Sequence, residues 1–208
     1  MQRGKFITIE GIEGVGKSTN IDLLANLIEQ HGHRVLKTRE PGGTPIAENI
    51  RRILKEHGDE PLPDVAELLL LFAARSINVN NAIRPALDSG TWVIADRFTD
   101  STRAYQGGGR GFPRESIEWL AELVHGDLQP DLTLLLDLPV EMGLSRAAKR
   151  GDADRFERES LEFFKRVRQT YLERAKSSDK RFELIDASGD IEQVWSQIEF
   201  VLEKRLGR

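Results

Sequence analysis

The feature that most constrains this chain is residues 11–18, GIEGVGKS, which fit the phosphate-binding loop pattern GxxxxGK[ST]. A short apolar run at residues 6–10 precedes the pattern, and apolar residues at helical spacing follow it through residues 17–30. Such a loop needs a buried strand before it and a helix after it, because its backbone N–H groups and the helix N-terminus together surround phosphate. The pattern and its position therefore predict an α/β fold that binds a nucleoside triphosphate.

Short hydrophobic runs alternate with helical patterns along the whole chain, which predicts a parallel sheet covered on both faces. Strands are predicted at residues 6–10, 34–38, 92–95, 132–136 and 182–185. Helices are predicted at residues 17–30, 46–54, 65–87, 116–124, 140–149, 157–176 and 191–206. We therefore expect one doubly wound α/β domain over residues 1–208, with a five-stranded parallel sheet and helices on both faces. A charged, glycine-bearing segment at about 146–156 is predicted to be a lid.

Charge and composition exclude several classes of function. The net charge of −4 argues against nucleic acid as a main partner, and no apolar run approaches the ~18 residues of a membrane span. The chain contains no cysteine, which excludes disulfides and thiolate metal sites. We expect a cytoplasmic protein.

The chemistry of the loop assigns a nucleotide and a metal to particular residues. Lys17 is expected to reach the outer phosphates, and the Ser18 hydroxyl is expected to ligate Mg²⁺ delivered with ATP. Asp96 ends the third strand, where a carboxylate approaches the Mg²⁺ or its waters, and Glu10 at the end of the first strand is a second candidate. The predicted ATP-binding residues are Gly11, Ile12, Glu13, Gly14, Val15, Gly16, Lys17, Ser18 and Thr19.

A triphosphate site alone leaves kinases, GTPases and motor ATPases open. The sequence contains no Asn/Thr-Lys-x-Asp stretch of the kind that GTPases use to bind guanine. Arg39 and Arg97 follow the second and third strands, where open α/β sheets bind their ligands. Phosphate transfer to a small acceptor is therefore favoured, although Arg39 could also be a surface arginine in a turn.

The segments EGIEGVGKST, TREPGGTPIAE, LLFAAR, ADRFTDSTRAYQG and RFERE, in this order and spacing, resemble the thymidylate kinase family. The resemblance implies the P-loop nucleoside monophosphate kinase type of α/β fold and the phosphorylation of dTMP to dTDP with ATP and Mg²⁺. It also implies a homodimer formed through long apolar helices such as 65–87 and 117–124. Another small-acceptor P-loop kinase, for a nucleoside or a different monophosphate, is the alternative. A regulator that binds nucleotide without turnover is a further alternative.

The resemblance also implies which residues bind dTMP. Arg39 and Arg97 would hold its phosphate, Arg75 would donate to a base carbonyl, and Tyr105 would crowd the sugar 2′ position. Either Phe72 or Leu71 would stack on thymine, since the family often has F-x-x-x-R and this chain has Leu71 at that distance from Arg75. The remaining residues near the base would be Ser101, Thr102 and Gln106.

Glu13 is a carboxylate inside a loop that should wrap polyanionic phosphates. We hypothesise that it faces the acceptor sugar and accepts a hydrogen bond from the 3′-hydroxyl; the alternative is that it points to solvent. By resemblance to mostly bacterial members, the missing positive charge would then come from the lid, first from Arg150 and next from Arg146 or Arg155. The predicted catalytic residues are Glu13, Lys17, Asp96, Arg97 and Arg150.

Overall fold

Five parallel strands form one sheet in the computed structural model, which describes residues 3–56, 60–149, 155–177 and 180–206. The strands are β1 (Phe6–Glu10), β2 (Val35–Arg39), β3 (Trp92–Asp96), β4 (Leu132–Asp137) and β5 (Phe182–Asp186). Their order is β2-β3-β1-β4-β5, with β1 paired to both β3 and β4. The loop after β1 therefore lies where the order of the strands reverses, the point at which open α/β sheets bind ligands.

Helices connect the strands. They are α1 (Lys17–Gln30), α2 (Pro45–Lys55), α3 (Asp64–Asn78), α4 (Arg84–Asp88), α5 (Thr99–Thr102), α6 (Arg114–His125), α7 (Val140–Ala148), α8 (Leu161–Lys176) and α9 (Ile191–Leu206). The π-helical segment Val79–Ile83 joins α3 to α4, and a second π-helical segment, Arg103–Gly109, extends α5.

The core lies on both faces of the sheet because side chains alternate along each strand. On β1, Ile7 and Ile9 belong to a large buried cluster with residues of α1, α8 and α9. Phe6 precedes Ile7 and points to the opposite face, where it belongs to a second cluster with Val79 and Ile83 of the first π-helical segment. The predicted doubly wound five-stranded sheet is confirmed.

The helix predicted at 65–87 is helical throughout, but it is not α-helical along its whole length. It widens into the π-helical turn Val79–Ile83 just before Pro85, which has no N–H to donate to the preceding turn. The helix predicted at 157–176 begins only at Leu161, where the Ser160 hydroxyl accepts a hydrogen bond from the N–H of Phe163 at 3.2 Å. The helical segment from Thr99 to Gly109 was not predicted.

Among the described residues, no helix combines the length and the apolar character that crossing a membrane would require.

Candidate active site

The phosphate loop has the backbone that its glycines require. Gly14 and Gly16 adopt left-handed conformations, with φ of 76° and 89°. A Cβ atom on Gly14 would come within 2.0 Å of the carbonyl oxygen of Gly143 on α7, so the loop and α7 touch through their backbones. The nine predicted ATP-binding residues form the phosphate loop and the start of α1. Two of them, Ile12 and Val15, are buried in the core. Their side chains anchor the loop, which leaves backbone N–H groups for phosphate.

Lys17 closes the loop on itself. Its Nζ donates to the carbonyl oxygens of Gly11 (3.2 Å) and Ile12 (2.9 Å). Burial, followed by the positive charge of Arg97, lowers the pKa of Lys17 to about 8. An anionic ligand in the loop would favour the charged form, so Lys17 is suited to a phosphate.

A cavity of about 230 Å³ opens beside the loop. The predicted residues in its wall are Glu13, Gly14, Gly16, Lys17, Ser18, Arg75, Asp96, Arg97, Ser101, Thr102, Tyr105 and Gln106. Further wall residues are Glu40, Pro41, Arg51, Lys55, Leu71, Phe98, Phe156 and Glu157. The folded chain thus brings most of the predicted nucleotide and acceptor residues around one space.

Glu13 faces this cavity rather than solvent, and its side chain is only 12% exposed. Its Oε1 accepts from Nη2 of Arg97 at 2.9 Å, and its Oε2 accepts from the Tyr105 hydroxyl at 2.6 Å. The carboxylate is therefore turned away from the inner face of the loop and towards residues predicted to bind the acceptor. This position supports the hypothesis that Glu13 faces the acceptor sugar.

Arg97 is fixed by its backbone and by its head group. It has a φ of 73°, a left-handed conformation that is uncommon for a residue with a long side chain, and its N–H donates to the Ile9 carbonyl at 3.0 Å. Its Nη1 donates to Ser101 Oγ (3.1 Å) and to the Tyr171 hydroxyl (3.2 Å). Tyr171, on α8, was not predicted as a site residue because no local motif marks it.

Glu10 does not fit its predicted role as a metal ligand. It is fully buried, and its Oε1 accepts from the N–H of Phe98 at 2.7 Å. Its Oε2 accepts from Ser101 Oγ (2.6 Å) and the Tyr171 hydroxyl (2.9 Å). Burial, and then the negative charge of Asp100, raise the pKa of Glu10 to about 7. Because both oxygens are used inside the protein, Glu10 holds the start of α5 and the partners of Arg97.

One part of the cavity wall, named the base side because its residues are predicted to contact a base, contains Leu71, Arg75, Thr102 and Gln106. Arg75 is buried; its Nε donates to Glu40 Oε2 at 2.6 Å and its Nη2 donates to Thr102 Oγ1 at 3.0 Å. Glu40 was missed, although it follows a strand end as Arg39 does. This arrangement holds the Arg75 head group still beside the cavity.

Phe72 is not part of the cavity wall, and this corrects one of the two alternatives for the base-stacking residue. It packs with Leu68, Ile117 and Ala121 in a separate buried cluster, with its ring centre 4.8 Å from the Arg75 guanidinium carbon. Leu71, one position earlier on α3, lines the cavity instead. Consecutive helical residues point about 100° apart, so only one of the two faces the cavity.

Arg39 is likewise outside the cavity. Its Nε and Nη2 donate to the two carboxylate oxygens of Glu48 at 3.0 and 2.8 Å, and it lines a neighbouring groove between α1 and α2. Arg51 of α2 lies in the cavity wall instead, and donates to the Pro41 carbonyl at 2.8 Å. Burial, and then the charge of Arg39, lower the pKa of Arg51. The sequence offered no signal for Arg51 beyond its place on an amphipathic helix.

Asp96 and Ser18 lie together where the cavity meets the groove, since both residues line both spaces. Asp96 Oδ1 is buried, and it has no hydrogen-bond partner within the described part of the chain. A buried carboxylate oxygen without a donor is costly, whereas a cation beside it would satisfy it. The pair therefore fits a magnesium ion.

The predicted lid is only partly described, and Arg150 lies outside the described residues. Arg146 donates to the carbonyl oxygens of Ala187 (2.8 Å) and Ser188 (2.9 Å), after β5. Arg155 donates to the Leu54 carbonyl at 3.0 Å and is paired with Glu67. Neither described arginine points at the phosphate loop in this structure.

Comparison with known proteins identifies the family of this chain. Residues 9–198 match the family model described as "Thymidylate kinase". Thymidylate kinase from Pseudomonas putida strain F1 is 54% identical over 205 residues, which cover 99% of this chain and 98% of the relative. The enzyme of Ruthia magnifica subsp. Calyptogena magnifica is 50% identical over 203 residues, covering 98% and 99%. The chain therefore belongs to the thymidylate kinase family.

Proposed function

We propose that this chain transfers a phosphoryl group from ATP to dTMP and so forms dTDP. The observation that carries the proposal is the single cavity that begins at the phosphate loop with Glu13 and Arg97 and continues to Arg75, Thr102 and Gln106. Its first part offers positive charge for two phosphates, and its second part offers donors and acceptors for a base. We further propose a cytoplasmic location and a single kinase domain with a lid at about 146–156, as for the family in general.

The wall residues perform positioning and charge neutralisation, which is most of what phosphoryl transfer requires. Lys17, now on carbonyls of its own loop, would exchange these for phosphate oxygens of ATP. Arg97 and Arg51 would hold the acceptor phosphate against the repulsion between two anions. The acceptor phosphate ionises with a second pKa of about 6, so no general base is needed at neutral pH.

Glu13 would give the acceptor its orientation. Its carboxylate already accepts from Arg97 and Tyr105, and it has capacity for a further hydrogen bond from the sugar 3′-hydroxyl. In this position Glu13 would contact both the acceptor sugar and Arg97, which would hold the acceptor phosphate. The negative charge of the loop therefore serves the acceptor and not ATP.

Mg²⁺ would be held by the Ser18 hydroxyl and the Asp96 carboxylate, directly or through water. A magnesium ion held there would neutralise charge on the phosphates. The role of the protein is to present two oxygen ligands at the end of β3 and the start of α1, next to Lys17. Asp96 is thus proposed as a metal ligand and not as a base.

A coupled ADP-release assay with a panel of nucleosides and nucleoside monophosphates tests the proposal. We expect turnover with dTMP at least roughly a hundredfold more efficient than with dCMP, dGMP or thymidine. Preference for thymidine would favour a nucleoside kinase, and the cationic groups beside Glu13 argue against that outcome. ATP binding without turnover of any acceptor would identify a regulator.

We also propose that the protein is a homodimer, with contact through α3 and α6. Both helices expose large apolar side chains: Trp119 is 65% exposed and Leu123 67%, beside Val65 and Leu69 of α3. A patch of this kind on packed helices is typical of a protein interface. Light scattering should give twice the chain mass for the wild type and a smaller mass for Trp119→Asp.

A further inference from the structure

Glu67 is a fully buried carboxylate of α3 for which phosphoryl transfer itself has no use. It lies four residues before Leu71 and eight before Arg75, so successive turns bring the three side chains to the same face of α3. That face borders the acceptor cavity, which Leu71 and Arg75 line. A carboxylate buried at this place needs compensating donors.

Four N–H groups from three side chains converge on the Glu67 carboxylate. Its Oε1 accepts from Nε2 of Gln106 (2.7 Å) and Nε of Arg110 (2.7 Å). Its Oε2 accepts from Nη2 of Arg110 (3.0 Å) and from Nη2 of Arg155. A carboxylate has about four lone-pair sites, so these donors use its full capacity. A neutral amide in its place could not accept all four.

Two of the donors connect to different parts of the cavity wall. Gln106 belongs to the base side, whereas Arg155 directly precedes Phe156, which lies in the wall and makes an edge contact with Tyr105. The Arg155 guanidinium carbon lies 4.7 Å from the centre of the Phe156 ring, and Arg155 also donates to the Leu54 carbonyl of α2. Arg155 therefore ties the segment before α8 to α2 and α3 across the acceptor site.

We propose that Glu67 is a positioning residue that couples the base side of the acceptor site to the segment that covers it. It orients the amide of Gln106 and, through Arg155, keeps Phe156 over the acceptor. The inference rests on the proposed function, with dTMP as the acceptor. Because the donors to Glu67 lie outside the phosphate loop, Glu67 contributes to the affinity for dTMP and not to the affinity for ATP.

Calorimetric titration of the full chain with dTMP and, separately, with ATP tests the proposal. Glu67→Gln should raise the dissociation constant for dTMP at least roughly tenfold and leave that for ATP within about twofold. Glu159→Gln is the matched control, since Glu159 is a second carboxylate on Arg110, at 2.9 Å, and is not a wall residue. It should leave both constants within about twofold of the wild type.

A double-mutant cycle separates positioning from general damage. If Glu67 acts through Arg155, Arg155→Met should weaken dTMP binding in the wild type but have little further effect in Glu67→Gln. The proposal is overturned if the effects of the two changes on dTMP affinity are independent, or if Glu67→Gln weakens ATP binding as much as dTMP binding. It is also overturned if Glu67→Gln and Glu159→Gln have the same dTMP affinity. If Glu67→Gln does not fold, an unchanged dTMP affinity in Arg155→Met overturns it. A wild-type protein that does not bind dTMP contradicts the proposed function instead.

Discussion

Replacement of Glu13 by alanine should change which acceptor the protein prefers, and not only how fast it works. The side chain is 12% exposed, and its two oxygens accept from Arg97 at 2.9 Å and from Tyr105 at 2.6 Å. Hydrogen bonds that involve a charged group contribute about 1.5–3 kcal/mol each. We take the lower figure, about 1.5 kcal/mol, for the loss of Arg97 positioning and the same for the bond to the 3′-hydroxyl.

These two contributions affect two acceptors differently. With dTMP both are lost, about 3 kcal/mol, and kcat/KM should fall roughly 100-fold, whereas with 3′-deoxy-dTMP only the first is lost and the fall is roughly tenfold. The preference for dTMP over its 3′-deoxy analogue should therefore decrease roughly tenfold in Glu13→Ala.

Steady-state kinetics with the two acceptors at saturating ATP measures this preference. Glu48→Ala is the control, because Glu48 also holds an arginine, Arg39, with two hydrogen bonds of 3.0 and 2.8 Å but lies outside the cavity wall. Its preference should equal that of the wild type. An unchanged preference in Glu13→Ala, with both efficiencies reduced equally, would refute the assignment of Glu13 to the acceptor sugar.

Three further predictions follow from neighbouring contacts. Burial lowers the pKa of Lys17 to about 8 in the free protein, so kcat/KM for ATP should decline as the pH rises through that value and the ammonium group loses its proton. A flat profile of kcat/KM to about pH 9.5 contradicts this prediction. Tyr171→Phe removes only the buried hydroxyl shared by Glu10, Ser101 and Arg97, so kcat should fall roughly tenfold and the free energy of unfolding by about 1–3 kcal/mol. A kcat within twofold of the wild type argues against a positioning role. Gly143→Ala places a Cβ atom 2.6 Å from the Glu13 carbonyl oxygen and should lower the free energy of thermal unfolding by about 1–3 kcal/mol. This loss should exceed that of Gly107→Ala, whose added Cβ atom has a flexible side chain as its nearest contact, at 3.3 Å. Equal losses would contradict the close contact between α7 and the loop.

Local spacing was sufficient for the sheet and the phosphate loop. The strand Phe6–Glu10 and the helix Lys17–Gln30 have the predicted bounds, and the match to thymidylate kinases over residues 9–198 confirms the resemblance. These features were predictable because a β-branched run, three glycines and a helical repeat each restrict the backbone within a few residues.

Contacts between distant residues were not predictable in the same way. Tyr171 meets Arg97 across 74 positions of the chain, and Glu67 meets Arg155 across 88. The end of β2 and helix α2 give another example, since Arg39 pairs with Glu48 of α2 and Arg51 of α2 lies in the cavity wall instead. A charged side chain is long enough to reach several partners, and only the packed helices select one.

Triphosphate binding and membership of the thymidylate kinase family were predictable from the sequence, because both depend on short stretches with strict backbone requirements. Only the folded chain shows that Leu71 and not Phe72 lines the cavity beside the phosphate loop, and that Glu10 is buried among Phe98, Ser101 and Tyr171. It also placed Glu13 beside Arg97 and Tyr105. The physical reason is that the direction of a side chain depends on how helices pack around the sheet, and that packing is a property of the whole chain.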